Sequence, residues 1–474
     1  MIPTIGLEVH AQLRTSSKIF CGCSAEFGAE PNTHVCPVCL GLPGALPVLN
    51  ERAVEFAVRA ALAFDCAIQP VSRFARKHYF YPDLPKAYQV SQYDEPLATG
   101  GAVAVDTDSG RRAIELVRIH LEEDAGKSIH LEDAGTGVDF NRSGVGLIEI
   151  VTTPQIDSPA LAAACFSRIR DVLVALGVND GNMEEGSLRC DANVSIRADA
   201  SAPLGVKTEV KNINSFRFVQ RAIEFEIARQ TSIADGGLAI TPETRLWDPS
   251  TGRTVSMRTK EEAQDYRYFP EPDLQPLVVS TDWIARIKAA MPEMPEVRRE
   301  RFVRQYGLPS YDAAVLTQSP ALADYFEATA AASDNPKAAS NWIMGEALGR
   351  LNAAAMTIAQ MRITPDALAR LIRLVESGRI TGPTAKHVFE RMFADGGDAE
   401  TIVAAGGLSR VDDDDAIDGI VRATLAKHPV PVEQYRAGKR QAFGFLVGQV
   451  MKESGGRTDP AKASALIRRI LDSE

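Results

Sequence analysis

The chain has 474 residues, of which 45% are hydrophobic and 24% charged, with a formal net charge of −10. That length exceeds what one hydrophobic core supports and predicts two or three domains, and the ordinary globular composition excludes disorder except at the ends. An acidic balance argues against nonspecific nucleic-acid binding by the chain as a whole, although residues 436–474 carry eight Lys or Arg against four Asp or Glu and form a locally basic end.

The opening MIPTIGLEVH has no basic segment followed by an apolar one, so no secretory signal is expected. No apolar run approaches the ~18 residues of a membrane span. A cytoplasmic protein without membrane attachment is the expectation. Ile5, Leu7, Val9 and Ala11 alternate with Glu8, His10 and Gln12, which predicts a first strand with one apolar and one polar face.

Cys21, Cys23, Cys36 and Cys39 follow in the pattern C-x-C-x12-C-x2-C. Four thiolates at this spacing suit a tetrahedral structural Zn²⁺, with an iron–sulfur cluster or free thiols as alternatives. An odd total of seven cysteines argues against a disulfide framework. Cys66, Cys165 and Cys190 fall on apolar faces and read as core.

Arg118, Ile119 and His120 end a further strand, and Leu121-Glu122-Glu123-Asp124 is expected to form an acidic turn beyond it. Gly126-Lys127-Ser128 imitates the end of a phosphate-binding loop, but the required upstream glycine is Leu121 and the preceding residues are acidic. Gly144-Val145-Gly146 precedes a strand, whereas a dinucleotide fingerprint follows one. Neither predicts a standard nucleotide fold. Glu149 stands in Leu147-Ile148-Glu149-Ile150-Val151, apolar on both faces. A carboxylate there is costly to bury without compensating cations or donors. Either it reaches water at a strand end, or pairs with an arginine such as Arg142, or it serves a site.

Ser158-Pro159 caps a helix with Leu161, Cys165, Ile169, Val172, Leu173 and Leu176 on its apolar side and Gly177 at its end. Residues 188–197 alternate as a strand, with Arg189, Asp191 and Asn193 on the polar face, and residues 206–211 repeat the pattern with Lys207, Glu209 and Lys211. The plain reading of each strand is an antiparallel sheet with one wet face; together the polar faces suggest a concave surface for a charged substrate. Phosphoryl chemistry with ATP needs carboxylates to fix Mg²⁺, and Glu8, His10, Glu123 and Glu149 are candidates.

Past Met291-Pro292 and Met294-Pro295 the chain becomes Ala-rich and helical in period. Asn335-Pro336, Thr364-Pro365 and Gly382-Pro383 open helices, and Leu368, Leu371, Ile372 and Val375 form one buried stripe. The acidic run Asp412–Asp415 reads as a solvated turn or linker before a last helical unit. The predicted fold class is α+β: a mixed or antiparallel-sheet domain over 1–290, an all-α domain over 291–405, and a small all-α tail over 406–474.

Several blocks resemble the family of B subunits of aspartyl/glutamyl-tRNA amidotransferase: Ile5-Gly6-Leu7-Glu8-Val9-His10, Arg76-Lys77-His78-Tyr79-Phe80-Tyr81-Pro82-Asp83, Pro85-Lys86-Ala87-Tyr88-Gln89, and Leu121 through Ser128. Leu147–Val151, Met183–Asn193, Glu209–Phe216, Asp265–Asp273 and the tail block Phe443–Lys452 continue the likeness over essentially the whole chain. The resemblance implies a cradle-shaped N-terminal domain, a helical domain and a small tail, whose excess positive charge predicts contact with tRNA through shape and phosphates. It implies a heterotrimer completed by an amidase-type glutaminase, the A subunit, and by a small third protein, the C subunit. ATP would phosphorylate the side-chain carboxylate of misacylated Glu-tRNA(Gln) or Asp-tRNA(Asn), and ammonia from the glutaminase would displace the phosphate. It also implies that Glu8, His10, Glu123 and Glu149 form the divalent-metal set, with Asp191 and Glu209 as second candidates and Lys77, Lys86 and Arg189 as phosphate contacts. The four-cysteine motif occurs in only part of the family. The rival readings are a tRNA-binding accessory protein without catalysis and a self-sufficient ligase using free ammonium.

Overall fold

A computed structural model of the chain describes residues 1–107, 110–131, 135–259, 263–411 and 413–473. The chain divides into two compact units, Met1–Met294 and Pro295–Glu474.

The first unit is built on a ten-stranded sheet. Its main strands are β1 (Ile2–Gln12), β2 (Gly110–Glu123), β3 (Gly146–Thr152), β4 (Leu188–Arg197), β5 (Thr208–Ile213), β6 (Glu243–Asp248) and β7 (Arg253–Thr259). They run in the order β7-β6-β5-β4-β1-β3-β2, and the short strands Ala98–Thr99 and Ala67–Ile68 extend the β2 edge. Pairing is antiparallel except between β5 and β6, which run parallel, so the sheet is mixed.

Period-2 alternation explains the central strands. Ile5, Leu7, Val9 and Ala11 of β1 are fully buried, as are Leu188, Cys190, Ala192 and Val194 of β4. They join one core with helices α1 (Glu51–Ala63), α2 (Pro159–Ala175) and α3 (Phe216–Asp235). Helix α2 starts where Ser158 accepts a hydrogen bond from the Leu161 N–H at 3.3 Å, with Pro159 in the first turn where no donor is needed. Its Leu161, Cys165, Ile169, Val172 and Leu173 are buried, and Gly177 takes the left-handed conformation past its end. Truncating a residue such as Leu7 to Ala leaves a cavity at the centre of this core and costs about 2–5 kcal/mol. With the apolar residues turned to the core, β1, β3 and β2 present Glu8, His10, Glu149, His120 and Glu122 side by side on the other face.

One local expectation changes. Leu121–Glu123 is strand, not turn, because β2 runs on through Glu123 and pairs Glu122 with Leu147 and Glu123 with Gly146. Strand geometry therefore sends Glu122 and Glu123 to opposite faces. Lys127 opens a short strand, Lys127–Leu131, paired with Gly135–Asp139, so the Gly126-Lys127-Ser128 sequence leads into a strand and not a helix.

The second unit is helical among its described residues and has two separate apolar cores, one spanning Phe302 to Val403 and one spanning Ile417 to Leu471. In the first, Thr364 caps helix Pro365–Glu376, and Leu368, Leu371 and Ile372 are buried as their spacing requires. Thr381, not Gly382, caps helix Gly382–Asp395. Of the acidic run, Asp412 lies outside the described residues; Asp413 caps helix Asp414–Lys427, where exposed acids favour the N-terminal end. No helix among the described residues is long and apolar enough to cross a membrane. With a sheet domain followed by helices, the architecture is α+β.

Candidate functional site

Strand register assembles the site. His10 of β1 lies opposite Glu149 of β3 on one side and Arg189 of β4 on the other, and Glu149 lies opposite His120 of β2. His10 Nε2 is 3.3 Å from Glu149 Oε2 and 3.8 Å from Glu122 Oε1, and His120 Nε2 is 3.6 Å from a carboxylate oxygen of each. One ligand atom from each of His10, Glu122 and Glu149 falls within 4.8 Å of the others. Two carboxylate oxygens and an imidazole at this separation match the donor set of a divalent cation that retains water on its remaining positions.

The electrostatics explain how two carboxylates share this floor. Burial opposes the charge of Glu149, yet the imidazoles of His120 and His10 and the Lys77 ammonium hold it well below the usual carboxylate range. Glu122 is likewise held down against burial, first by His120. Burial also disfavours the charged His10 ring, but the Glu149 and Glu122 carboxylates overcome it and push His10 up to about 9. Arg118 Nε donates to His120 Nδ1 at 3.3 Å. A guanidinium only donates, so His120 Nδ1 accepts and the ring carries a proton on Nε2, facing the carboxylates.

Glu8 is near this cluster without joining it. It accepts from Asn193 Nδ2 at 2.9 Å, and burial together with the charges of Glu149, Glu209 and Asp191 raises its carboxyl above the ordinary range. Asp191 and Glu209 are held by Lys211, whose Nζ is 2.7 Å from Asp191 and 3.1 Å from Glu209. Arg189 is fixed by buried Asp124 at 3.0 Å, which also accepts from Gln12 at 2.8 Å. Lys77 keeps its charge against burial, through Tyr268 and the two site glutamates. Arg142 donates to the carbonyls of Ala125 and Gly126 and does not pair with Glu149.

His10, Glu122, Lys77, Arg189, Asp191 and Lys211 line one cavity of about 430 Å³. Cations and carboxylates thus share the lining of a space large enough for phosphate groups. Of the residues expected from sequence, the structure brings His10 and Glu149 into one ligand cluster and places Glu8, Lys77, Arg189, Asp191 and Glu209 around it. It does not bring Glu123 or Lys86 to them. Glu123 is buried on the opposite face, bonded to the Lys86 ammonium and accepting from the Val90 N–H at 2.9 Å. That pair lines a separate cavity of about 210 Å³ beside the cysteine loop. Sequence reasoning misses Glu122, His120 and Lys211 as site residues. The signal for two of them is present, because Arg118, His120 and Glu122 keep one strand phase.

The cysteine loop forms the second cluster. The Sγ atoms of Cys21, Cys23, Cys36 and Cys39 all lie within 4.8 Å of one another, and those of Cys36 and Cys39 are 3.9 Å apart. A tetrahedral ZnS₄ centre has sulfur–sulfur edges of ~3.8 Å from its 2.3 Å bonds. The Cys36 N–H donates to Cys39 Sγ at 3.1 Å. Buried Lys18 donates to the His34 carbonyl at 2.7 Å and the Phe140 carbonyl at 3.3 Å, which ties the loop to the sheet. The set fits a structural metal. None of the seven cysteines forms a disulfide, and Cys66, Cys165 and Cys190 are buried.

Residues 3–285 match the family described as the GatB/GatE catalytic domain, and residues 324–471 match the GatB domain. A protein of Thermodesulfovibrio yellowstonii, named as the B subunit of aspartyl/glutamyl-tRNA(Asn/Gln) amidotransferase, is 54% identical over 98% of both chains. Proteins of the same name from Trichlorobacter lovleyi and Myxococcus xanthus are 51% identical over 99% of both chains, and 52% identical over 99% of this chain and 98% of the other. Similarity of this extent leaves no domain of the chain outside the match, and the chain belongs to the family of B subunits of aspartyl/glutamyl-tRNA(Asn/Gln) amidotransferase.

Proposed function

We propose that this chain is the component of a tRNA-dependent amidotransferase in which ATP activates the side-chain carboxylate of a misacylated Glu-tRNA(Gln) or Asp-tRNA(Asn). The observation that carries the reading is the convergence of His10, Glu122 and Glu149, the first two of which line a cavity together with Lys77, Arg189 and Lys211. Acidic groups alone repel phosphate. Three cation ligands together with three ammonium or guanidinium groups suit a polyphosphate held with its counter-ion.

His10, Glu122 and Glu149 would hold Mg²⁺, and Glu8 stands behind them as a further acid. When bound, Mg²⁺ supplies charge neutralisation at the transferring phosphoryl group and fixes its orientation. Lys77 and Arg189 bind phosphate oxygens, and Asp124 keeps Arg189 aimed into the cavity. In the first step a carboxylate oxygen of the aminoacyl group takes the γ-phosphoryl group of ATP, and ADP leaves. In the second, ammonia attacks the acyl carbon, inorganic phosphate leaves, and the nitrogen loses a proton to give the amide. The acyl phosphate is water-sensitive, so an enclosed polar cavity protects it between the steps. Ammonia comes from an amidase-type glutaminase partner, with a small third protein completing the heterotrimer. Cys21, Cys23, Cys36 and Cys39 would hold Zn²⁺, which would supply a folding role. The basic tail contacts tRNA through phosphates.

The test is ADP and amide formation by the reconstituted trimer on misacylated tRNA. Glu149→Gln and Glu122→Gln should each lower both by about 100-fold or more, with tRNA affinity changed less than about twofold. Full activity in either variant contradicts the assignment. Comparable activity of the isolated chain with ammonium chloride would favour the self-sufficient ligase instead.

A further inference from the structure

Charged groups account for only part of the 430 Å³ cavity. Its wall also contains Tyr79, Tyr81 and Tyr266, and Met257 lines it as well. Tyr79 packs edge-on to both other rings, with centroids 5.8 Å from Tyr81 and 6.2 Å from Tyr266. Tyr81 is 44% exposed and Met257 52% exposed, so two large side chains with apolar surface stay accessible at a cavity that also carries His10, Lys77, Glu122 and Arg189. Lys77 links this wall to the cation ligands: its Nζ is 4.9 Å from the centre of the Tyr266 ring, and its charge is stabilised by Glu122 and Glu149.

Resting on the reading that nucleotide substrates enter here, we infer that the Tyr79–Tyr81–Tyr266 wall, with Met257, is a stacking shelf for an adenine base. Neither a polyphosphate nor an acidic aliphatic side chain has a use for exposed aromatic surface beside it. A purine does, because every base has a π-face that stacks on tyrosine without sequence-specific hydrogen bonds. Lys77 sits where the phosphates of the same nucleotide leave the base and approach the cation ligands. The shelf serves either the adenine of ATP or the terminal adenosine of the tRNA acceptor end.

Equilibrium binding to the intact reconstituted complex tests this with four probes: ATP, inorganic tripolyphosphate, tRNA, and tRNA lacking its 3′-terminal adenosine. Tyr81→Leu should weaken one adenine-bearing probe about tenfold while its adenine-free counterpart shifts less than twofold. A selective loss for ATP assigns the base to ATP, and a selective loss for complete tRNA assigns it to the acceptor end. Tyr81→Phe, which keeps the ring, should stay within about twofold of the parent. Met257→Ser should reproduce the selectivity at about threefold, and it stands in if Tyr81→Leu does not fold. No loss for either adenine-bearing probe, or an equal loss with and without adenine, overturns the shelf. That outcome is separable from failure of the proposed function, which is decided by Glu149→Gln.

Discussion

The two ligand clusters of the N-terminal unit sit on one sheet scaffold and differ in almost every chemical respect. The cysteine cluster offers four soft sulfurs in one loop region and closes on itself. The His10–Glu122–Glu149 cluster offers one nitrogen and two oxygens from three neighbouring strands and opens into a cavity. Four sulfurs in a loop would, with a metal bound, brace that segment. Two carboxylates and an imidazole on strands would, in the proposed reading, leave coordination positions for water and substrate. Ligand type, ligand number and the supporting element together separate the cluster proposed as structural from the one proposed as reactive.

The largest expected effect sharpens this comparison within a single dipeptide. Glu122→Gln should weaken Mn²⁺ binding at the strand cluster by about 100-fold, whereas Glu123→Gln should leave it within about threefold, because Glu123 faces Lys86 across the sheet. In sequence order the two adjacent acids look like a turn, and strand alternation is what divides them.

The second effect is a pH dependence. His10 must lose its proton to serve as a ligand, and in the metal-free protein it holds that proton up to about 9. Metal affinity should therefore rise about tenfold per pH unit up to pH ~9 and then level off. Without metal the sign is opposite. A folded value raised above the ordinary 6.5 gives stability that is complete below pH ~6.5 and lost as pH rises through ~9, so the melting temperature should fall across that window. Thermal melts from pH 6 to 9.5, with and without Mn²⁺, read both trends.

A smaller effect is expected at the cysteine cluster. Cys39→Ser, or removal of the metal by chelation, should lower the melting temperature by roughly 5–10 °C. At a temperature where the protein remains folded, ADP formation should change by less than about threefold. A complete loss of ADP formation there would erase the distinction between the clusters. The smallest effect lies in the tail: Arg436→Glu with Arg440→Glu should weaken tRNA binding several-fold and reduce the salt slope by about two. Filter binding at several salt concentrations measures it.

Much of the fold is legible in the residues themselves. Alternation marks the buried faces of β1 and β4 residue by residue, and Ser158, Asn335 and Thr364 mark helix starts through caps followed by proline. Glu149 stands out because nothing in its own segment offsets its charge; the compensation comes from His10 and His120 on the flanking strands. Register between strands is a tertiary property, and so the partners of Glu149 are not visible in sequence order. The choice between Glu122 and Glu123 fails for a more local reason. A strand of 14 residues is long, and two consecutive acids at its end look like a turn. The phase of Arg118 and His120 carries the information that Glu122 shares their face. Lys211 is recognisable as lying on a polar face, but its position between Asp191 and Glu209 depends on the pairing of β5 with β4.

Manganese electron paramagnetic resonance on the reconstituted trimer at pH 8 tests the central claim most directly. The intact complex should show one protein-bound Mn²⁺ whose spectrum changes when ATP is added, and both the bound ion and that change should disappear in Glu149→Gln. Retention of the same ATP-responsive ion in that variant would contradict the account.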